Sequence, residues 1–243
     1  MANNSYGLLC PISRACEILQ PRWTIQILTE LWSGSTRFND IHRGVGRISR
    51  GLLSKRLKEL EGLGLIERVE DKAANTIDYI RTKKGTDLEP ALNALAVWAQ
   101  RNIDAELALC DSNLSSLMWK MRRSFIANEL PKKRVVIRFH FSDEDSEFDT
   151  YWAVIEPGKE VEMCVYDPGF DVDLYIQTTV MSFGGVIMGR TNVAREIDSG
   201  ALFLSGNARL VRTMDRWLRL SEYASVEGIA LLPKATQPTH ARR

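Results

Sequence analysis

The chain has 243 residues, of which 44% are hydrophobic and 26% are charged. That composition is typical of globular proteins, and the length allows two domains of roughly 100 to 150 residues each. No apolar run approaches the ~20 residues that cross a bilayer, and the first residues lack the charged and apolar regions of a signal peptide. We therefore expect a cytoplasmic protein that does not enter membranes.

Chemical motifs give little support to an enzyme or a metalloprotein. The four cysteines form no Cys-x-x-Cys pair, and they have no metal-ligand spacing with the three histidines. The chain also lacks a phosphate-binding glycine loop, a Gly-x-Ser-x-Gly turn and a His-Glu-x-x-His helix. We expect no metal, no cofactor and no enzymatic activity.

Short helices are predicted at the beginning of the chain. The first begins at Pro11, a favoured first helical position, and the second runs from about Arg22 to Trp32. A third begins at Arg37 and ends at Gly44, where glycine interrupts the apolar spacing.

The next helix is basic and has one apolar face. Ser49 is a suitable N-cap, and Leu53, Leu57 and Leu60 recur at helical spacing. Residues 37–58 contain seven basic residues and one acidic residue, a local charge of +6. Such a local excess favours a polyanionic partner. Two helices joined by a short glycine-containing turn, the second one basic, indicate a helix-turn-helix.

A β-hairpin is predicted after this helix, with strands at residues 65–69 and 77–81. It has the position of the wing in a winged helix. Thr82 is then the predicted N-cap of one long helix that extends to about Leu109. Its apolar stripe is wider than one side of a monomer needs, so we expect a homodimer. Residues 1–110 would form a single DNA-binding and dimerisation domain.

Several short motifs follow one another in order along residues 8–103. They are Cys10-Pro11, Arg22-Trp23-Thr24, Ile27-Leu28, Arg37-Phe38-Asn39-Asp40-Ile41, Ile48-Ser49, Leu52-Leu53-Ser54, Arg56-Leu57-Lys58-Glu59-Leu60, Gly64-Leu65-Ile66, Tyr79, Thr82 and Gly85. Together they resemble the HxlR family of winged-helix bacterial transcription regulators. The resemblance implies a homodimer on a two-half-site operator, with the recognition helix in the major groove and the wing beside it.

Double-stranded DNA is therefore the expected partner. The candidate DNA-binding residues are basic or hydroxyl side chains of the two helix-turn-helix helices, the turn between them and the wing: Arg37, Arg47, Ser49, Arg50, Ser54, Lys55, Lys58, Arg68 and Lys72. Of these, Arg50, Lys55 and Lys58 are the candidates for base edges or phosphates. The alternative interpretation is a solvated surface helix whose charges serve solubility.

Cys10 is the one cysteine with a candidate function. It precedes the first helix, whose positive dipole end lowers a thiol pKa, and some members of the resembled family use a cysteine there. The alternative is a small packing residue, which is also how we interpret the other cysteines.

A polar stretch at residues 110–113 predicts a domain boundary. Residues 114–232 then contain a helix, several strands separated by turns, and further helices, which favours an α+β domain with a mostly antiparallel sheet. Residues 233–243 are predicted to be a flexible tail. The succession of the strand at residues 173–178, the segment 183–189 and the segment 197–207, with its Ser-Gly-Asn-Ala join to a closing helix, resembles the sterol carrier protein fold.

That second resemblance implies an apolar cavity between sheet and helices for a lipid-like or other hydrophobic ligand. The candidate ligand-binding residues are large apolar or aromatic side chains of this region: Trp152, Tyr175, Phe183, Ile187, Met188 and Trp217. Each of them is alternatively an ordinary core residue. We expect a sequence-specific DNA-binding transcription regulator, modulated by a hydrophobic ligand or by thiol oxidation. The alternative function is a lipid-binding carrier whose winged helix serves protein interaction.

Overall fold

The computed structural model describes residues 5–144 and 147–233. The chain divides into two compact units, Met1–Leu92 and Asn93–Arg243, which we call the N-terminal and the C-terminal unit. In the described parts of both units the fold is a mixture of helices and strands. No helix in these parts is both long enough and apolar enough to cross a bilayer.

The N-terminal unit has the order of elements that defines a winged helix-turn-helix. Its elements are α1 (Pro11–Leu19), α2 (Thr24–Trp32), α3 (Phe38–Val45), α4 (Arg50–Gly62), β1 (Ile66–Asp71), β2 (Thr76–Arg81) and α5 (Lys83–Thr86). Strands β1 and β2 pair antiparallel, with Ile66 opposite Arg81 and Asp71 opposite Thr76. The predicted hairpin is therefore confirmed.

The core of this unit joins the helices to the base of the hairpin. Ile27 and Leu28 of α2, Ile41 of α3 and Leu57 of α4 are fully or almost fully buried in one cluster with Ile66 of β1. Burial of each such side chain contributes about 1.5–3 kcal/mol. This shared core fixes the orientation of α4 relative to α3.

The single long helix predicted from Thr82 to Leu109 is wrong. The structure has three helices there, namely α5, α6 (Glu89–Asn102) and α7 (Ala105–Leu109). Thr82 does cap α5, because its hydroxyl accepts a hydrogen bond from the Gly85 N–H at 3.1 Å. The first break lies between α5 and α6, where Pro90 has no N–H to continue the hydrogen bonds of α5. The second break lies between α6 and α7, where the Asp104 carboxylate caps α7 by accepting the N–H of Glu106 at 2.9 Å.

The C-terminal unit continues beyond α7 with helices around one sheet. Its further elements are α8 (Leu114–Met121), a 3-10 turn at Ala127–Glu129, β3 (Val135–Phe141), β4 (Thr150–Ile155), β5 (Glu162–Cys164), β6 (Leu174–Thr178), α9 (Val180–Ile187), α10 (Val193–Asp198), β7 (Leu202–Gly206), α11 (Ala208–Arg212) and α12 (Met214–Trp217). The strand order is β5-β4-β3-β6-β7.

This sheet is mixed. Strands β3 and β6 run parallel, whereas β3–β4, β4–β5 and β6–β7 are antiparallel pairs. One face of the sheet carries the core of the unit, in which Phe139 of β3 packs edge-on against Phe183 of α9 at 5.5 Å between ring centroids. Helices α8, α9, α11 and α12 all contribute to that core.

The division between the units lies inside α6, before the polar stretch at residues 110–113. A buried arginine explains why the end of α6 belongs to the C-terminal unit. The Arg190 guanidinium donates to the side-chain oxygen of Gln100 and to the backbone oxygen of Ile103, each at 3.0 Å. The tail predicted at residues 233–243 lies, from residue 234 onward, outside the described residues.

Candidate nucleic-acid interface

Helix α4 is held in one orientation by its cap and its apolar face. Ser49 has an extended backbone, and its hydroxyl accepts the Leu52 N–H at 3.3 Å, as expected of an N-cap. Leu53, Leu57 and Leu60 are buried. Since residues three and four apart share a helix face, burial of the leucines directs the polar residues of α4 outward.

The outward face of α4 is basic. Ser54, Lys55 and Lys58 are exposed and line one open, shallow recess together with Gly51 and Glu59. The Lys55 ammonium lies 4.0 Å from the Glu59 carboxylate, a weak contact between exposed groups. Within residues 5–144 and 147–233, Lys58 has no ion-pair partner. This face therefore presents cations that remain available to a polyanion.

Arg50 connects the two helices of the helix-turn-helix. Its guanidinium donates to the side-chain oxygen of Asn39, on α3, at 2.9 Å. Both side chains are exposed, so Asn39 lies on the same surface as the beginning of α4. Asn39 was not among the DNA-binding candidates from the sequence, because an asparagine eleven positions before an arginine does not by itself indicate a contact between the two. Arg47 is also exposed, in the turn that precedes α4.

Arg37 is paired with the middle of the second wing strand, β2. Its Nε donates to the Asp78 carboxylate at 2.8 Å, and the Thr36 hydroxyl donates to the same oxygen. The Thr36 hydroxyl, and secondarily Arg37, hold the pKa of Asp78 below its ordinary value. The backbone of Thr36 is also bonded to Tyr79 of β2. This cluster ties the start of α3 to the wing and partly neutralises Arg37.

The two predicted basic residues of the wing differ in their surroundings. Arg68 on β1 forms an ion pair with Glu70, which raises the pKa of the Arg68 guanidinium. Lys72 is exposed in the turn between β1 and β2. The turn is closed by the Asp71 carboxylate, which accepts the backbone N–H of Ala73 at 2.9 Å. Lys72 is consequently at the tip of the wing, and Arg68 is nearer its base.

Cys10 is exposed and occupies the N-cap position of α1. The backbone N–H of Ser13, followed by that of Ile12, lowers the pKa of the Cys10 thiol. The nearby backbone N–H groups favour the thiolate, which is the reactive form of cysteine, although the thiol makes no capping hydrogen bond to them.

The six candidate ligand-binding residues lie in three different places of the C-terminal unit. Phe183, Ile187 and Trp217 belong to the buried core between the sheet and the helices. Met188 packs against a separate small cluster. Trp152 and Tyr175 alternate with core residues along β4 and β6, so they point to the opposite face of the sheet. These six side chains therefore do not surround one common cavity.

The N-terminal unit has the features of a DNA-binding regulator of the winged-helix class: a capped helix with a cationic outward face, a preceding helix and a wing. The family model for the HxlR-like helix-turn-helix matches residues 18–107. The chain belongs to this family of transcription regulators, because it also covers nearly the full length of relatives at more than 30% identity.

Two such relatives come from Bacillus subtilis. The uncharacterized HTH-type transcriptional regulator YvaP is 39% identical over 98 residues, which are 40% of this chain and 91% of YvaP. The HTH-type transcriptional regulator YodB is 31% identical over 105 residues, 42% of this chain and 94% of YodB. The solved reduced form of YodB has 32% identity and a TM-score of 0.36, over 40% of this chain and 96% of YodB. The family match and these two sequence relatives show that the protein is a DNA-binding transcription regulator.

Proposed function

We propose that α4 is the recognition helix of this regulator and enters the major groove of an operator. The observation that carries the proposal is the outward face of α4, where Arg50, Ser54, Lys55 and Lys58 are exposed while the leucine face is buried. A helix fits the major groove of B-DNA, and arginine or lysine donors match the O6 and N7 acceptors of guanine.

The remaining basic and hydroxyl groups are assigned to the DNA backbone. Ser49 and Arg47 precede α4, where side-chain donors and the helix N-terminus meet phosphates. Arg37 contacts a phosphate with the N–H groups that Asp78 does not use. Lys72, at the tip of the wing, and Arg68 follow the backbone or the adjacent minor groove.

A triple substitution tests this assignment. Arg50→Ala, Lys55→Ala and Lys58→Ala together should lower the affinity for the operator by at least about 100-fold, because backbone and base contacts are both lost. The matched control removes three exposed arginines of the C-terminal unit, as Arg209→Ala, Arg212→Ala and Arg216→Ala. Fluorescence anisotropy with footprinted promoter DNA measures both. Equal affinity of the two triple variants would refute the assignment of α4.

The rival function is a lipid carrier whose winged helix serves protein interaction. Such a carrier would not need the cations of α4 to bind DNA. The unmodified protein and both triple variants would then fail to bind any promoter DNA specifically, and all three would retain bound lipid in native mass spectrometry.

We further propose that the protein binds its operator as a homodimer. Two helices expose large apolar side chains: Ile12 is exposed on α1, and Leu95 and Trp98 are exposed on α6. Exposed apolar side chains of this size favour burial against a partner. Sedimentation of Leu95→Asp/Trp98→Asp should give a monomer, whereas Leu107→Asp, at an exposed leucine of α7, should leave the dimer unchanged. A dimeric Leu95→Asp/Trp98→Asp variant would remove α6 from the interface.

For the C-terminal unit we propose a sterol-carrier-like sensor that takes a hydrophobic ligand between its sheet and its helices. The apolar character of Phe183, Ile187 and Trp217 in that layer supports the proposal. Such a ligand changes operator affinity only as far as it binds the DNA-competent state differently. Native mass spectrometry of the purified protein, combined with thermal shifts on hydrophobic compounds, should reveal a bound or bindable compound. A protein that carries none and binds none contradicts this role.

Oxidation of Cys10 is the second proposed input. Its exposure and its lowered pKa support a reactive thiolate. Diamide takes two electrons from two Cys10 thiolates of a dimer and leaves a disulfide, and operator affinity should change. The Cys10→Ser variant should not respond, while Cys16→Ser, at another exposed cysteine of α1, should respond as the unmodified protein does. A response retained in Cys10→Ser would exclude this site.

A further inference from the structure

The second face of the C-terminal sheet carries side chains that the core does not use. Along β3, Ile137, Phe139 and Phe141 point into the core, and the alternate positions Arg138 and His140 point the other way. The helices that build the core all pack on the first face. On the second face Tyr175 is 43% exposed and Phe203 is 57% exposed. This face is therefore partly open to solvent.

The strand register assembles a compact array on that face. Arg138 lies opposite Trp152 of β4 on one side and opposite Tyr175 of β6 on the other. Two residues further along β3, His140 lies opposite Gln177 of β6. Neighbouring strands are ~4.8 Å apart and alternate residues ~6.6 Å apart along a strand. The array thus measures about 10 Å by 7 Å, which is the size of one or two fused six-membered rings with a substituent.

A recess lies within this array. It is lined by Arg138, His140, Tyr175, Ile176 and Gln177. The Ile176 side chain is buried in the core, so Ile176 contributes backbone atoms. The lining side chains therefore combine a cation, an aromatic ring, an imidazole and an amide. The Asp149 carboxylate lies beside the imidazole, on the His140 side of the recess.

Arg138 is the decisive residue of the recess. Its guanidinium carbon lies 5.8 Å from the centroid of the Trp152 ring. Within the described residues it has no ion pair, in contrast to Arg134, which donates to Glu156 at 2.6 Å. Arg138 is half-buried on the central strand, where a cation without a counter-ion favours an anion more strongly than one in water does.

We propose that this recess binds a small aromatic carboxylate. The carboxylate accepts two N–H bonds from the planar Arg138 guanidinium, the geometry in which arginine and carboxylates pair best. The aromatic ring of the ligand packs against Tyr175, and Gln177 hydrogen-bonds a ring substituent. An aliphatic acid would satisfy Arg138 but leave the Tyr175 ring without an aromatic partner.

Single-stranded nucleic acid is the competing occupant, because it also combines negative charge with stacking rings. The charges around the array disfavour it. The segment that joins β3 to β4 is acidic in sequence, at residues 143–149, and its Asp149 carboxylate lies 3.5 Å from the Nε2 of His140. A polyanion that runs along the array passes both Arg138 and His140 and is repelled by the Asp149 carboxylate beside His140, whereas a single carboxylate needs only Arg138.

Isothermal titration of the full chain with 2-naphthoate tests the site. We expect saturable binding, one ligand per chain, and binding weaker by about tenfold or more for the neutral 2-naphthamide and for octanoate. Arg138→Gln should weaken 2-naphthoate by about tenfold or more, and Arg138→Lys by less, since a lysine keeps the charge but loses the paired N–H geometry. Tyr175→Leu should weaken it by a few-fold.

The control is Arg209→Gln, which removes one exposed arginine from α11 and should bind 2-naphthoate as the unmodified chain does. Circular dichroism establishes that each variant is folded. The proposal is overturned if 2-naphthoate does not saturate, if folded Arg138→Gln binds it unchanged, or if oligothymidylate binds through Arg138 in its place. It is equally overturned if Tyr175→Leu changes the sedimentation of the ligand-free protein, because the face would then contact a second copy. The test does not depend on DNA binding.

Discussion

Two surfaces of this protein present cations, and they differ in how the cations are arranged. On the outward face of α4, Lys55 and Lys58 are exposed on one helix without an aromatic neighbour between them. On the open face of the C-terminal sheet, Arg138 is half-buried between Trp152 and Tyr175. Several solvated cations in a row suit a long polyanion, whose binding gains from the release of counter-ions. One partly desolvated cation beside aromatic rings suits a single small anion.

The setting of a charge, more than its sign, indicates the class of ligand that it binds. Both surfaces also depend on the rigidity of the elements beneath them. The leucines under α4 and the phenylalanines under the sheet are buried in separate clusters, each within its own unit. Substitutions in one unit should therefore leave the surface of the other unit functional.

The largest expected effect comes from the core below the sheet. Phe139→Ala, at a fully buried position between Arg138 and His140, should lower the free energy of unfolding of the C-terminal unit by about 3–5 kcal/mol. Phe203→Ala on the open face of the same sheet should change it by less than about 0.5 kcal/mol. Urea unfolding, followed by circular dichroism, measures both. If operator affinity of folded Phe139→Ala also falls, the two surfaces are not independent.

The next effect separates the two surfaces by their salt dependence. Lys55→Gln/Lys58→Gln should weaken operator binding by roughly 100-fold at low salt and reduce the slope of log K against log salt by about 2. Arg138→Gln should alter neither quantity. Anisotropy titrations at several salt concentrations give both. An equal loss of slope in Arg138→Gln would mean that the sheet face also contacts DNA.

A smaller effect concerns the support of α4. Ser49→Ala removes the hydroxyl that accepts the Leu52 N–H and should lower the stability of the N-terminal unit by about 1 kcal/mol. Ser49→Asp should restore most of it, because aspartate is an equally good N-cap. Operator affinity should decrease in Ser49→Asp, since its carboxylate approaches phosphate. Equal stability of all three proteins in thermal unfolding would contradict the capping role.

The smallest effect concerns Asp78, whose pairing with Arg37 limits the charge that Arg37 can offer to DNA. Thr36 and Arg37 lower the pKa of Asp78 in the folded chain, so the ionised carboxylate stabilises the folded protein at neutral pH. This contribution to the free energy of unfolding begins to decrease when the pH falls below the ordinary aspartate pKa of about 4, and it is gone once the pH is below the lowered pKa of the folded chain. Asp78→Asn should lack this acid-dependent part of the stability curve and bind DNA a few-fold more tightly, since Arg37 is released for phosphate. A DNA affinity that stays unchanged would mean that Arg37 does not contact DNA.

Much of the proposed DNA interface could be predicted from the sequence, because the signals that build it are local. A serine before a basic segment, leucines at helical spacing and a glycine after them define α4 without knowledge of the rest of the chain. The contact of Arg50 with Asn39 and the pairing of Arg37 with Asp78 could not be predicted. They join residues of different elements, whose approach is set by the shared core.

The break of the predicted long helix has a similar explanation. Apolar spacing from Leu88 to Ile103 continues through Pro90 and up to Asp104, so periodicity indicates one helix. The missing N–H of Pro90 and the capping carboxylate of Asp104 act on hydrogen bonds, to which periodicity is insensitive.

The sequence by itself determined the winged helix-turn-helix, its basic helix and the family. Only the tertiary structure decided the arrangement of the C-terminal unit, where Trp152 and Tyr175 lie on the face of the sheet opposite Phe183. The physical reason is the range of the interactions. Helix caps and helical faces depend on residues three or four positions apart, whereas Trp152, Arg138 and Tyr175 become neighbours only through the pairing of strands that are distant in the chain.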